Sequence, residues 1–118
     1  MFDAKILSLI AATLVLSGGP TIAQEKDTAS ANFLLPYCHE WLDNKKTAMP
    51  GVCIGVVTGV LETAPFLEPR VRFCPPKMAT RDQALRVVVK YLDSNPDKLH
   101  EVFTGLVIVA LQQAWPCK

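Results

Sequence analysis

The chain has 118 residues, with 12 basic and 11 acidic side chains and a net charge near +1. The charges are spread without long runs, which argues against nucleic acid as a partner. Half of the residues are hydrophobic, enough for one small domain, but at this size burial alone gives marginal stability and extra constraints are expected.

At the start of the chain, Lys5 precedes an apolar run from Ile6 to Leu16, then Ser17-Gly18-Gly19-Pro20 and Thr21-Ile22-Ala23. This order predicts a secretory signal peptide over residues 1–23, cleaved after Ala23. The apolar run is far shorter than the roughly 20 residues that span a bilayer, and no lipobox cysteine comes after it, so no stable membrane anchor is expected. Residues 24–31 read as a mobile leader, and 32–118 as one helical domain. All four cysteines, Cys38, Cys53, Cys74 and Cys117, fall in the exported part. An even count in a short secreted domain predicts two disulfides. No two cysteines are close enough in sequence to form a zinc-ligand pair, and no metal or cofactor is expected. Three connectivities are open. The preferred pairing joins Cys38 to Cys53, closing a short helical hairpin, and Cys74 to Cys117, tying the start of the third helix to the end of the fourth. By loop closure these are worth about 3 and about 4 kcal/mol.

The first helix is expected from an Asn32 N-cap to about Asp43, burying Phe33, Leu34, Tyr37, Cys38, Trp41 and Leu42. Pro36 would then sit in the first turn, where its missing N–H costs nothing. Asn44-Lys45-Lys46 and Met49-Pro50-Gly51 read as a turn leading to a second helix from about Val52 to Ala64. Gly51, Gly55 and Gly59 recur every fourth residue there and leave one face bare, at roughly 1 kcal/mol for each interior glycine. Close packing is expected against that face, by a neighbouring helix of the same domain or else by a dimer or partner contact. Residues 65–78, with four prolines, read as the longest exposed connection. Thr80 caps a third helix, with Gln83 at the capping-box position. Its buried side is Ala84, Leu85, Val88, Tyr91 and Leu92; its wet side is Asp82, Arg86, Lys90 and Asp93. Asn95-Pro96 has the cap-then-proline order of a helix start. It opens a fourth helix with the inner stripe Leu99, Phe103, Leu106, Val107, Ala110, Leu111 and Ala114, stopped by Pro116. The sum is an all-α, compact four-helix domain held by two disulfides.

No catalytic constellation emerges. A cysteine nucleophile with His39 or His100 as base would need a free thiolate, and these thiols are expected to be oxidised. Glu40, Asp43, Glu62 and Glu68 form no acid–base pair at helical spacing, and no phosphate-cradling glycine loop is present. Trp41 and Trp115 read as core or helix-end plugs. The expectation is a binding protein, not an enzyme.

The order and spacing of several elements are more specific than any one of them. These are Asn32-Phe33-Leu34-Leu35 before Cys38, Cys53-Ile54-Gly55 leading to Gly59-Val60, Phe73-Cys74-Pro75, Val87-Val88-Val89-Lys90-Tyr91-Leu92, Asn95-Pro96, Leu99-His100 and Ala114-Trp115-Pro116-Cys117. Together they resemble the Rap/Tai family of immunity proteins associated with type VI secretion. The resemblance implies a periplasmic, mainly helical protein that binds and occludes a peptidoglycan amidase effector, often as a homodimer. The matching residues are structural, so it assigns no toxin contacts. On the residues alone, the connection after the second helix is the candidate surface, with Phe66, Leu67, Glu68, Arg70 and Arg72 offering apolar and charged contacts. A rival reading is a small envelope chaperone resembling the Hde-type acid chaperones, which are also exported, helical and disulfide-linked, but with one disulfide and a more charged chain. A third is a structural subunit of an envelope complex.

Overall fold

A computed structural model describes residues 27–118 together with Gly18. The expected signal peptide, apart from Gly18, and the leader before Asp27 lie outside the described residues. Among the described residues four helices form: α1 (Ala31–Leu42), α2 (Ala48–Thr63), α3 (Arg81–Ser94) and α4 (Phe103–Ala114), with 3-10 turns at Ala64–Phe66 and Pro96–Lys98. Among the described residues no strand forms, and the domain is all-α as expected.

α1 starts two residues earlier than its sequence suggests. Ser30, not Asn32, is the N-cap, and its side chain accepts from the Phe33 amide at 3.4 Å. Pro36 is therefore the sixth helical residue, past the first turn, and it leaves the Asn32 carbonyl without its i+4 donor. Both residues are exposed, so water can satisfy that carbonyl. The last turn closes through Asn44 at φ 63°. The Lys45 amide donates to Glu40 O at 2.9 Å and the Asn44 amide to Trp41 O at 3.1 Å, the paired bonds of a Schellman stop.

α2 also begins early, at Ala48 after Thr47, and absorbs the Met49-Pro50-Gly51 stretch expected to be a turn. Proline at the third position forfeits no intrahelical bond, and Gly51 N already donates to Thr47 O at 3.0 Å. α3 is capped as expected, with Gln83 N donating to Thr80 Oγ1 at 3.1 Å. α4 starts later than expected. Asn95-Pro96 opens only a 3-10 turn, and α4 begins at Phe103 after Val102. Leu99 and His100 lie in the intervening turn, and Ala114 is exposed rather than part of the inner stripe.

The core comprises Leu34 and Cys38 of α1, Cys53, Ile54, Val57 and Val60 of α2, Leu85, Val88, Val89 and Leu92 of α3, and Phe103, Leu106, Val107 and Leu111 of α4. Tyr91, expected to be buried, packs at its edge. α2 contacts all three other helices. Phe73, in the segment expected to be an exposed connection, is 1% exposed. The disulfides are Cys38–Cys53 and Cys74–Cys117, with Cα atoms 5.4 and 5.0 Å apart, the preferred pairing. The described end of the expected leader is held to the domain. Ala31 N donates to Glu101 O, Asn32 N to Leu99 O and Phe103 N to Ala29 O, with an antiparallel bridge between Ser30 and Val102. Residues from Ala29 on are thus fastened, and Ser30 and Ala31 are buried.

One expectation is overturned within the domain. Among the described residues, a Cβ added at Gly51, Gly55 or Gly59 would meet nothing within 4 Å, and Gly55 and Gly59 are exposed. No neighbouring helix of this domain packs against the glycine face, because α1, α3 and α4 cover the Cys53, Ile54, Val57 and Val60 side of α2 instead.

Candidate partner-binding site

The segment between α2 and α3 is built as a braced projection. α2 cannot continue through Pro65, and the chain tightens into the Ala64–Phe66 turn, closed by Leu67 N donating to Ala64 O at 3.4 Å. Pro69 comes after Glu68 in a turn closed by Val71 N donating to Glu68 O at 3.0 Å, a position where its fixed φ is favourable. Arg72 Nε donates back to Leu67 O at 3.1 Å. From α4, Gln112 Nε2 reaches across to Arg70 O at 2.9 Å. Beyond Arg72 the chain is anchored by buried Phe73, by Cys74 N donating to Trp115 O at 2.8 Å, and by the Cys74–Cys117 disulfide.

This bracing holds polar backbone groups that would otherwise pay for order only on binding, and it leaves particular side chains outward. Phe66 is 86% exposed, against the ordinary burial of large aromatic rings. Glu68, Arg70 and Arg72 are exposed with it, and Val71 extends the apolar part. Arg70 and Glu68 approach to 3.9 Å with both side chains largely in solvent, a contact worth little in water and readily exchanged for a partner's charges. Beside the projection lies a cleft of about 470 Å³ lined by residues including Leu61, Glu62, Pro65, Arg72 and Phe73.

Of the five residues singled out from the sequence, four are exposed on this projection. Leu67 differs: it packs against the core and anchors the segment. Arg72 ties the segment through its Nε and is itself exposed. Sequence reasoning missed Gln112 and Phe73. Gln112 reads as one more polar residue on α4, and only the fold brings it to Arg70. Phe73 had a signal, its place beside Cys74.

Two other residues considered from the sequence, His39 and Trp41, make contacts between α1 and α3. His39 Nε2 lies 2.9 Å from Asp93 Oδ1 and links α1 to α3. Trp41 Nε1 donates to Asp82 Oδ1 at 3.2 Å, with Lys46 and Arg81 against its ring. Both contacts join α1 to α3 and give Trp41 a structural position.

The family model for Rap1a immunity proteins matches residues 30–117. The chain belongs to this family. The Rap1a match begins at the Ser30 cap and ends at Cys117, so it takes in all four helices and both disulfides. No curated protein and no solved structure matches the chain significantly. Membership of the Rap1a immunity proteins makes the kind of partner a protein effector, and the two disulfides fit an exported protein.

Proposed function

We propose that this chain is a periplasmic immunity protein of a type VI secretion system. It is exported by a signal peptide cleaved after Ala23, and it neutralises a peptidoglycan amidase effector by seating the 65–76 segment over the effector's active site. It acts by binding, not by catalysis. The observation that carries the reading is the pairing of an 86%-exposed Phe66 with a segment braced on both sides in a Rap1a immunity protein. An aromatic anchor flanked by arginines on pre-ordered backbone is the composition of an interface hot spot.

The outer face of α2 supports a homodimer as the working form. Only 33% of the most apolar stretch of Ala48–Phe66 is buried, Val52 is 45% exposed, and the open glycines let a second helix approach closely. The test is titration of the oxidised protein against peptidoglycan amidase effectors encoded near it. Saturable, stoichiometric inhibition at neutral pH, weakened by Phe66→Ala, is the expected result. Full amidase activity at micromolar immunity protein sinks the proposal.

A further inference from the structure

The two disulfides occupy opposite environments. Cys38 and Cys53 are both 0% exposed and belong to the core between α1 and α2. Cys74 and Cys117 are both exposed. Thiol–disulfide exchange requires a thiolate to approach a sulfur in line, so access divides the pair. The exposed bond also closes the braced segment. Without it, the end of 65–76 nearest α3 would be held to the rest of the fold by the Cys74 N to Trp115 O bond, the Gln112 bond to Arg70 O and the burial of Phe73. The Arg72 to Leu67 and Val71 to Glu68 bonds are internal to the segment and move with it.

We propose that Cys74–Cys117 is a selectively reducible bond that sets the rigidity of the 65–76 segment, while Cys38–Cys53 keeps the helices together throughout. The reductant is a dithiol, either small or carried as vicinal cysteines on a protein. Its thiolate attacks one sulfur of Cys74–Cys117, forming a mixed disulfide and releasing the other as thiolate. Its second thiol then displaces the protein sulfur. Two electrons pass to the protein, both protein thiolates take up protons, and the dithiol leaves as a disulfide. The reduced protein keeps its four helices and presents a loosened segment. The consequence for effector affinity rests on the function proposed above; the selective reduction and the loosening do not.

The experiment treats the folded, oxidised protein with graded dithiothreitol in the absence of denaturant, traps thiols with iodoacetamide and maps them by mass. Alkylation at Cys74 and Cys117 is expected at least tenfold faster than at Cys38 and Cys53. Trypsin, which has sites after Arg70 and Arg72, should cut there at least tenfold faster in the reduced protein while circular dichroism shows the helices retained. Equal alkylation of all four cysteines, or unchanged cleavage with Cys74–Cys117 reduced, overturns the proposal. A C74S/C117S double variant that retains its helices should show the fast cleavage without reductant, and slow cleavage there also overturns it. The wild-type titration is decisive by itself if that variant fails to fold. If the selective reduction and the loosening are seen but the oxidised protein inhibits no effector, the function fails and the switch stands.

Discussion

Single residues in this protein separate into those that hold the fold and those that face out of it, and substitutions should divide the same way. Phe66→Ala removes an exposed ring, so the melting temperature should stay unchanged while effector affinity falls about thirtyfold, the size of a roughly 2 kcal/mol hot spot. Phe73→Ala, in the same segment, opens a cavity at a 1%-exposed position and should cost about 3–5 kcal/mol by denaturant melts. Asn44 sits at φ 63°, where a β-branched side chain is strained. Asn44→Val should therefore lose about 1–2 kcal/mol, with Asn44→Gly tolerated. Gly55 gives the test of α2's outer face. Its Cβ would meet nothing within the domain, so Gly55→Ala should stabilise the monomer by about 0.5–1 kcal/mol. A bulkier Gly55→Leu should leave folding intact and abolish any dimer seen by light scattering. A wild-type dimer in that variant would remove the glycine face as the contact.

At the level of elements, α3 was legible almost residue by residue, because its Thr80 cap, buried valines and polar face all report one periodicity. The ends of the other helices were less so, for three different reasons. Ser30 carries no local helix signal that sets it apart from Asn32, since the amides and carbonyls around it are bonded to residues 99–103; a pairing so distant in sequence leaves no local trace. Pro50-Gly51 carries a strong turn signature, which lost to the apolar packing of α2. Asn95-Pro96 carries a strong start signature, but it starts a 3-10 turn that ends before α4 begins. The candidate segment was legible from its prolines and its mixture of apolar and charged side chains; its bracing was not, since Gln112 and Trp115 reach it from α4 and its C-cap. Pro36 is the element most open to improvement. Pro36→Ala restores a donor to the Asn32 carbonyl inside α1 and should stabilise the protein by up to about 3 kcal/mol in thermal unfolding, less the entropy regained by the unfolded chain.

For the whole molecule, Asp27, just before the clasp of residues 29–32 on 99–103, adds one acid-sensitive contact. The Asp27 carboxyl is held below its ordinary value by a hydrogen bond with the Ser30 side chain and by the Ser30 and Ala29 amides. A carboxylate depressed in the folded state stabilises above its unfolded value, about 3.9, and loses that contribution as pH falls through the lower folded value. Asp27→Asn should accordingly flatten the stability–pH curve below about pH 4 while changing little of its shape at neutral pH. The same clasp has a consequence in time. Ala29, Ala31 and Asn32 are bonded across to residues 99–103, and Cys74 meets its partner 43 residues later, whereas Cys38 and Cys53 are 15 apart. A chain that emerges N-terminus first can close and oxidise the α1–α2 hairpin at once. Residues 29–32 must wait for the stretch that leads into α4, so the hairpin can close well before the clasp does.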